Sequence, residues 1–361
     1  MSEATPPKPP VSPPADGLGK PPVSPPPAAA PANSYRVQDD ELLLDFYKKL
    51  FWNRLIPRIP ASITPNTLTI IGQICALMSA VATGAALAGT PIFYVVSAFL
   101  LVAYLTFDNI DGAHARRTKQ TSSLGEFLDH GLDGLASASI LIVTGMVLTL
   151  DQTWLVLLCA FGAFGFVALF WEQFRTGLLV IPRFSSTEGV TVLFIYQIVR
   201  FFAGSPTWLE FSLDHVTAGT ILVGLVFVAY IGAALPSVLR ARKVGVAAWE
   251  LAPLFLLMAA QPGFSYFGAH PLVPAATVGL IGANVTCRLI LMRHRGEANP
   301  FVAPVMWLTV LPLAMPAIAP NIWTPTGWAL LSLGVVVIDY GRNLWFGGNE
   351  LLGRAREARA A

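Results

Sequence analysis

Apolar residues run through this chain in long uninterrupted blocks, separated by short polar loops, without the alternation of a strand or the single stripe of a soluble helix. Windows near the roughly 20 residues that a bilayer core requires fall at 66–88, 92–112, 126–149, 153–173, 189–206, 217–239, 250–267, 271–292, 300–318 and 324–345, which predicts ten crossing helices. From Pro65 through Phe107 there is no Asp, Glu, Lys or Arg at all. Basic residues collect in alternate loops: Arg116, Arg117 and Lys119, then Arg175 and Arg183, then Arg240, Arg242 and Lys243, then Arg293 and Arg295, and finally Arg354, Arg356 and Arg359. The opposite loops hold Asp151, Glu210 and Asp214. Because Lys and Arg accumulate on the cytoplasmic side, both termini are expected there. The fifth window is the weakest, being short and carrying Arg200. The expected fold is all-α: a polytopic helical bundle integral to the membrane, with no soluble insert.

The flanks read differently. Twelve prolines precede Ser34, and Lys-Pro-Pro-Val-Ser-Pro-Pro occurs from Lys8 and again from Lys20, so residues 1–38 are expected to be an extended, solvated tail. Residues 39–64 mix Leu42, Phe46, Leu50 and Trp52 with Lys48, Lys49 and Arg54, the pattern of a helix lying in the headgroup layer. Residues 65–348 form the expected membrane domain and 349–361 a basic cytoplasmic tail.

Composition sharpens this picture. The chain of 361 residues is 54% hydrophobic and only 12% charged, against about 25% charged in soluble proteins, which excludes an ordinary soluble enzyme. A net charge of +2, with the basic residues scattered, gives no electrostatic footprint for nucleic acid. Cys75, Cys159 and Cys287 stand singly in apolar segments and form no metal or disulfide motif.

Charge concentrates in one place. Between Asp108 and Asp133 lie Asp108, Asp111, Arg116, Arg117, Lys119, Glu126, Asp129 and Asp133, with His114 and His130 among them. An Asp at a helix centre costs roughly 2.5–3.5 kcal/mol on insertion scales, so four need a compensating function. Asp108 and Asp111 are i, i+3 at the end of one helix; Asp129 and Asp133 are i, i+4 near the start of the next, so each pair shares a face. A short loop between antiparallel neighbours brings the two faces together. All-oxygen clusters suit hard cations, and a pair of divalent ions suits in-line displacement at phosphorus. Gly112 and Ala115 leave room for a nucleotide or diphosphate, and Arg116 can pair with a phosphate. A cation-transport or proton path is the competing reading of intramembrane carboxylates.

The run Asp108-x2-Asp111-Gly112-x2-Ala115-Arg116-x8-Gly125-x3-Asp129-x3-Asp133 resembles the signature of the CDP-alcohol phosphotransferase family at every fixed position. Phe107-Asp-Asn-Ile-Asp-Gly, Leu124-Gly-Glu-Phe-Leu-Asp-His-Gly-Leu-Asp, Trp171-Glu-Gln-Phe-Arg-Thr-Gly and Pro65-Asn66 look most like its choline and ethanolamine phosphotransferase branch. The resemblance implies a homodimeric membrane enzyme, with its active site facing the cytoplasm, in a bacterial inner membrane or in the endoplasmic reticulum or Golgi of a eukaryote. It would move phosphocholine or phosphoethanolamine from CDP-choline or CDP-ethanolamine to diacylglycerol, releasing CMP; the alternative within the family uses CDP-diacylglycerol and a polar alcohol such as serine or inositol. Asp108, Asp111, Asp129 and Asp133 would hold two Mg²⁺ or Mn²⁺ ions, and Asn66, Gly112, Ala115, Arg116 and Gly125 would line the substrate site. Either Asp133 or His130 would take the acceptor proton, with Glu126 orienting the His130 ring. Ala113, His114, Ser123 and Arg175 depart from the branch pattern.

Overall fold

The computed structural model describes residues 36–39, 41–204, 212–213, 216–297, 302–319 and 321–360; the proline-rich stretch before Arg36, and Glu210 and Asp214, lie outside them. Eight main helices follow one another: α1 (Pro65–Leu87), α2 (Ile92–Thr118), α3 (Ser123–Val147), α4 (Gln152–Thr176), α5 (Ser186–Ala203), α6 (Ala218–Lys243), α7 (Leu272–Arg295) and α8 (Pro325–Ala360). Among the described residues seven helices are long and apolar enough to cross a membrane, all of these except α5. The fold is that of a polytopic helical membrane protein, as the hydropathy pattern predicts.

The other three predicted crossings are helical but short or broken. The fifth is α5, 18 residues with Glu188 in its first turn and Arg200 in its last. In the seventh, Pro262 ends the helix Ala252–Ala260 and starts another, Pro262–Tyr266. The ninth is a succession of short helical pieces, two 3₁₀ segments at Pro304–Thr309 and Leu311–Ala314 and an α-helical turn at Met315–Ile318, because proline near each start removes a hydrogen-bond donor. Window averages register apolar residues and miss these breaks. The last helix runs unbroken through the expected boundary at 348, and its 36 residues span about 54 Å, well beyond a core of about 30 Å.

Two main cores hold the bundle, beside a smaller one around Phe264 and Trp328. One joins α1, α2, α3 and α5 to the N-terminal segment through Trp52, Leu101, Leu105, Ile110, Val143 and Leu193. The other joins α3, α4 and α7 through Phe127, Leu141, Leu158, Trp171, Ile281 and Val285. Residues such as Phe99, Phe202, Val228 and Ile338 stay exposed on the outside, where a bilayer would cover them.

Residues 44–58 form an irregular helix of short α, π and 3₁₀ turns. Leu44, Tyr47 and Trp52 face the protein, while Leu42, Phe46 and Leu50 face outward. Ahead of it, β1 (Arg36–Asp39) pairs in parallel with β2 (Leu178–Ile181). Glu41 accepts from Thr187 N at 3.3 Å and Thr187 Oγ1 at 3.0 Å, while Glu188 accepts from Leu43 N at 2.8 Å. These bonds strap the N-terminal segment across the start of α5.

Candidate active site

The turn between α2 and α3 sets the site. Lys119 takes a left-handed conformation (φ 59°) that stops α2, and Ser122 then caps α3 by accepting from Gly125 N at 3.0 Å. So short a link forces the helices antiparallel and side by side. The carboxylate faces meet: each of Asp108, Asp111, Asp129 and Asp133 lies within electrostatic reach of the other three, and Asp108 reaches hydrogen-bonding distance of Asp133. Ligand atoms of Asp129, His130 and Asp133 all fall within 4.8 Å of one another. His130 Nδ1 stands 3.9 Å from Asp129 and 3.8 Å from Asp133. Its ring packs on Phe170, with centroids 5.3 Å apart.

Helix α1 supports this cluster with residues that the spacing of charges did not point to. Thr69 Oγ1 donates to Asp111 Oδ2 at 2.5 Å, and Gln73 Nε2 contacts Asp133 Oδ1 at 3.4 Å. Gln73 Oε1 is buried without a protein partner. Asn66, Thr69 and Gln73 recur at i, i+3 and i+7 on one face of an otherwise apolar helix, which is the signal that could have marked them. Carboxylates crowded together repel one another, and a hard-oxygen set with uncharged donors behind it fits divalent cations such as Mg²⁺ or Mn²⁺.

A cavity of about 380 Å³ opens at the cluster's polar side. It is walled by Asn66, Thr69, Asp111, Gly112, Ala115, Arg116, Gly125, Glu126, Asp129 and His130, and so includes every residue expected to line the substrate site. A side chain at Gly125 would press on Asn66 Oδ1 at 3.4 Å and Ser122 Oγ at 3.3 Å, closing the cleft between α1 and α3. A second cavity, about 450 Å³ and mostly apolar, also reaches Asp108, Asp129, His130 and Asp133, and is lined by Tyr104, Phe166, Phe170 and Leu193. Asp129 and His130 are common to both walls.

Other polar residues are engaged elsewhere. The Glu126 carboxylate is held by Arg293 and lies 3.4 Å from His294 Nε2, both at the end of α7. Tyr340 of α8 donates to the Gly131 carbonyl at 3.0 Å, between His130 and Asp133. Sequence reasoning missed Arg293, His294 and Tyr340, and no local spacing marks them. Glu172, which could pair with Arg175 by spacing, is instead bound bidentately by Arg240 at 2.5 and 2.8 Å. Arg175 turns to Glu250, which also takes the Trp171 indole N–H at 3.1 Å. His114 Nε2 donates to the Ile63 carbonyl at 2.8 Å while Nδ1 accepts from Arg117 at 3.1 Å, so this departure from the branch pattern ties the loop before α1 to α2.

A family model described as CDP-alcohol phosphatidyltransferase matches residues 62–229, the stretch from just before α1 into α6. Cholinephosphotransferase 1 of Mus musculus is 31% identical over 192 residues, 50% of this chain and 48% of its own length. An uncharacterized CDP-alcohol phosphatidyltransferase class-I family protein 2 of Dictyostelium discoideum is 32% identical over 180 residues, 48% of this chain and 44% of its own length. At this identity the chain spans about half the length of the curated relatives it matches. Ethanolaminephosphotransferase 1 of Homo sapiens is 26% identical over 323 residues, 80% of each chain.

Proposed function

We propose that this protein is a membrane transferase that moves phosphocholine or phosphoethanolamine from its CDP ester to diacylglycerol and releases CMP. The observation that carries this reading is the meeting of a polar and an apolar cavity at Asp129 and His130. A water-soluble nucleotide and a lipid can thus reach the same two residues through different cavities. The family domain and the names of the relatives support the choice of substrates.

In this reading Asp108, Asp111, Asp129 and Asp133 hold two divalent ions, with Thr69 and Gln73 orienting Asp111 and Asp133. When bound, the ions supply charge neutralisation for the diphosphate and for the leaving CMP. Arg116 pairs with a phosphate in the polar cavity, and the small Gly112 and Ala115 let it approach α2. The acyl chains of the acceptor occupy the apolar cavity, which brings their hydroxyl to the cluster already oriented. That oxygen attacks the phosphorus bearing the small alcohol, the bond to the CMP oxygen breaks, and the hydroxyl proton passes to His130 or Asp133.

The test is reconstitution in liposomes with CDP-choline, CDP-ethanolamine or CDP-diacylglycerol and their acceptors, scored by CMP release. Release from a CDP-aminoalcohol with diacylglycerol is expected; release only from CDP-diacylglycerol would overturn the substrate assignment. Asp111→Asn and Asp129→Asn should each abolish release while the protein still inserts. Of His130→Asn and Asp133→Asn, the variant lacking the base should lose about 10²–10⁴ in kcat with KM for the CDP ester retained.

A further inference from the structure

Away from the carboxylate cluster, a cavity of about 230 Å³ opens between α7 and α8. Its wall carries Arg288 and Arg295 from α7 and Arg342 and Asn343 from α8, against the single carboxylate of Glu297. Three guanidinium groups on one small cavity are conspicuous in a chain only 12% charged. Two of them are fixed from behind. Buried Asp339 accepts from Arg342 Nη2 at 2.6 Å and also from Asn284 Nδ2 at 2.8 Å. Glu350 accepts from Arg295 Nη2 at 2.6 Å and Nε at 3.1 Å, and is itself held by Arg354 at 2.7 Å.

A guanidinium has five N–H donors, so these bonds set its direction and leave donors over. The Arg342 side chain, although anchored, remains 54% exposed. Trp345 and Phe346 stand beside it, largely exposed, as aromatic residues do at the membrane–water boundary. The cavity thus sits at the basic end of α7, the end that the charge pattern assigns to the membrane–water boundary. Basic pockets between membrane helices recognise anionic headgroups, and planar guanidinium forks match phosphate oxygens.

The geometry points to a binding site for the phosphodiester of an anionic phospholipid in this cavity, separate from both cavities of the transfer site. One turn of α7 also carries Arg293 and His294, which grip Glu126 in the polar cavity. A lipid seated on Arg288 and Arg295 would steady the helix that steadies the site.

The experiment is native mass spectrometry of the full-length protein titrated with phosphatidylglycerol or phosphatidylcholine. Phosphatidylglycerol should bind saturably, and Arg288→Gln with Arg342→Gln should weaken it on the order of ten-fold. Equal retention of the two lipids, or no change in the double Gln variant, would overturn the proposal. Displacement by millimolar glycerol phosphate would overturn the lipid as the source of the phosphate. Photocrosslinking of wild-type protein with a headgroup-reactive phosphatidylglycerol needs no substitution: label on the facing stretches of α7 and α8 is expected, and label elsewhere refutes the site. None of these readouts involves CMP release, so the proposal and the transfer reading can fail separately.

Discussion

Gly134 is where the proposed transfer site is most exposed to a single methyl group. It follows Asp133 on α3 and faces α7, and a Cβ built on it falls 2.6 Å from Ala283 Cα and 2.9 Å from Ala283 Cβ. Ordinary contact begins near 3.4 Å, so Gly134→Ala requires a separation of about 0.8 Å (3.4 − 2.6). Nothing can swing aside, since the nearest atom is backbone. The same seam is tight above and below, with Gly131 against Cys287 Sγ at 2.8 Å and Gly279 against Ala138 Cβ at 2.3 Å, so the helices must part over several turns. Overpacking of this kind costs typically about 1–3 kcal/mol, partly offset by the 0.5–1 kcal/mol that Ala gains over Gly in a helix, roughly.

The expected net loss is about 0.5–2 kcal/mol, read as an apparent melting temperature lower by roughly 1–8 °C in fluorescence-detected size exclusion. Gly341→Ala on α8 is the control: nothing lies within 4 Å of its Cβ position, and it should melt no lower than wild type. Asp133 sits one residue from the displaced contact, and a 1 Å misplacement of reacting groups can cost about 100-fold, so CMP release should fall by about 10- to 100-fold. A Gly134→Ala protein that melts and turns over like wild type would refute the claim that α7 sets the position of the carboxylate helix.

Thr69→Val keeps the shape and removes the donor to Asp111, so the Mg²⁺ or Mn²⁺ concentration for half-maximal activity should rise by about 10-fold or more; an unchanged metal titration counts against Thr69 as an orienting group. Arg240→Met strands the Glu172 carboxylate, which is 1% exposed, and should cost about 3–5 kcal/mol. Adding Glu172→Gln should recover much of this in a melting assay, and losses that simply add would disprove the pairing. Burial lifts the Glu41 carboxyl above its ordinary 4.5, with hydrogen bonds from Thr187 opposing the shift. The N-terminal strap should therefore be held most firmly below pH 4.5 and loosen as pH rises through the elevated value. Hydrogen exchange at residues 36–39, corrected for intrinsic rates, should show this, and Glu41→Gln should flatten the dependence; pH-independent exchange in wild type would refute it.

What the sequence made legible is what lies close along the chain. Asp108 and Asp111 share a helix face because three residues separate them, and a loop of a few residues leaves α3 nowhere to go but alongside α2. The contacts that steady this cluster come from further away: Thr69 to Asp111 across 42 residues, Gln73 to Asp133 across 60, Glu126 to Arg293 across 167 and Gly131 to Tyr340 across 209. No spacing rule reaches so far. Hydropathy likewise marked ten apolar segments and could not tell a continuous helix from short helical pieces broken at Pro262, Pro304 and Pro312, because proline is counted by its polarity and acts by its missing N–H.

These distant contacts bear on where the site ends. The family match stops at residue 229, yet α3, which carries Asp129, His130 and Asp133, is backed along its length by residues beyond that point. Arg293 and His294 hold Glu126, Cys287 and Ala283 press on Gly131 and Gly134, Gly279 meets Ala138, and Tyr340 bonds the Gly131 carbonyl. Inside a bilayer, apolar side chains gain little by leaving lipid for protein, so close glycine contacts and interhelical hydrogen bonds do most of the work of association. Every one of those contacts to α3 comes from α7 or α8. A protein cut after residue 229 would keep all four aspartates and lose the surface that aligns them, so the matched region contains the chemistry of the site without being sufficient to build it.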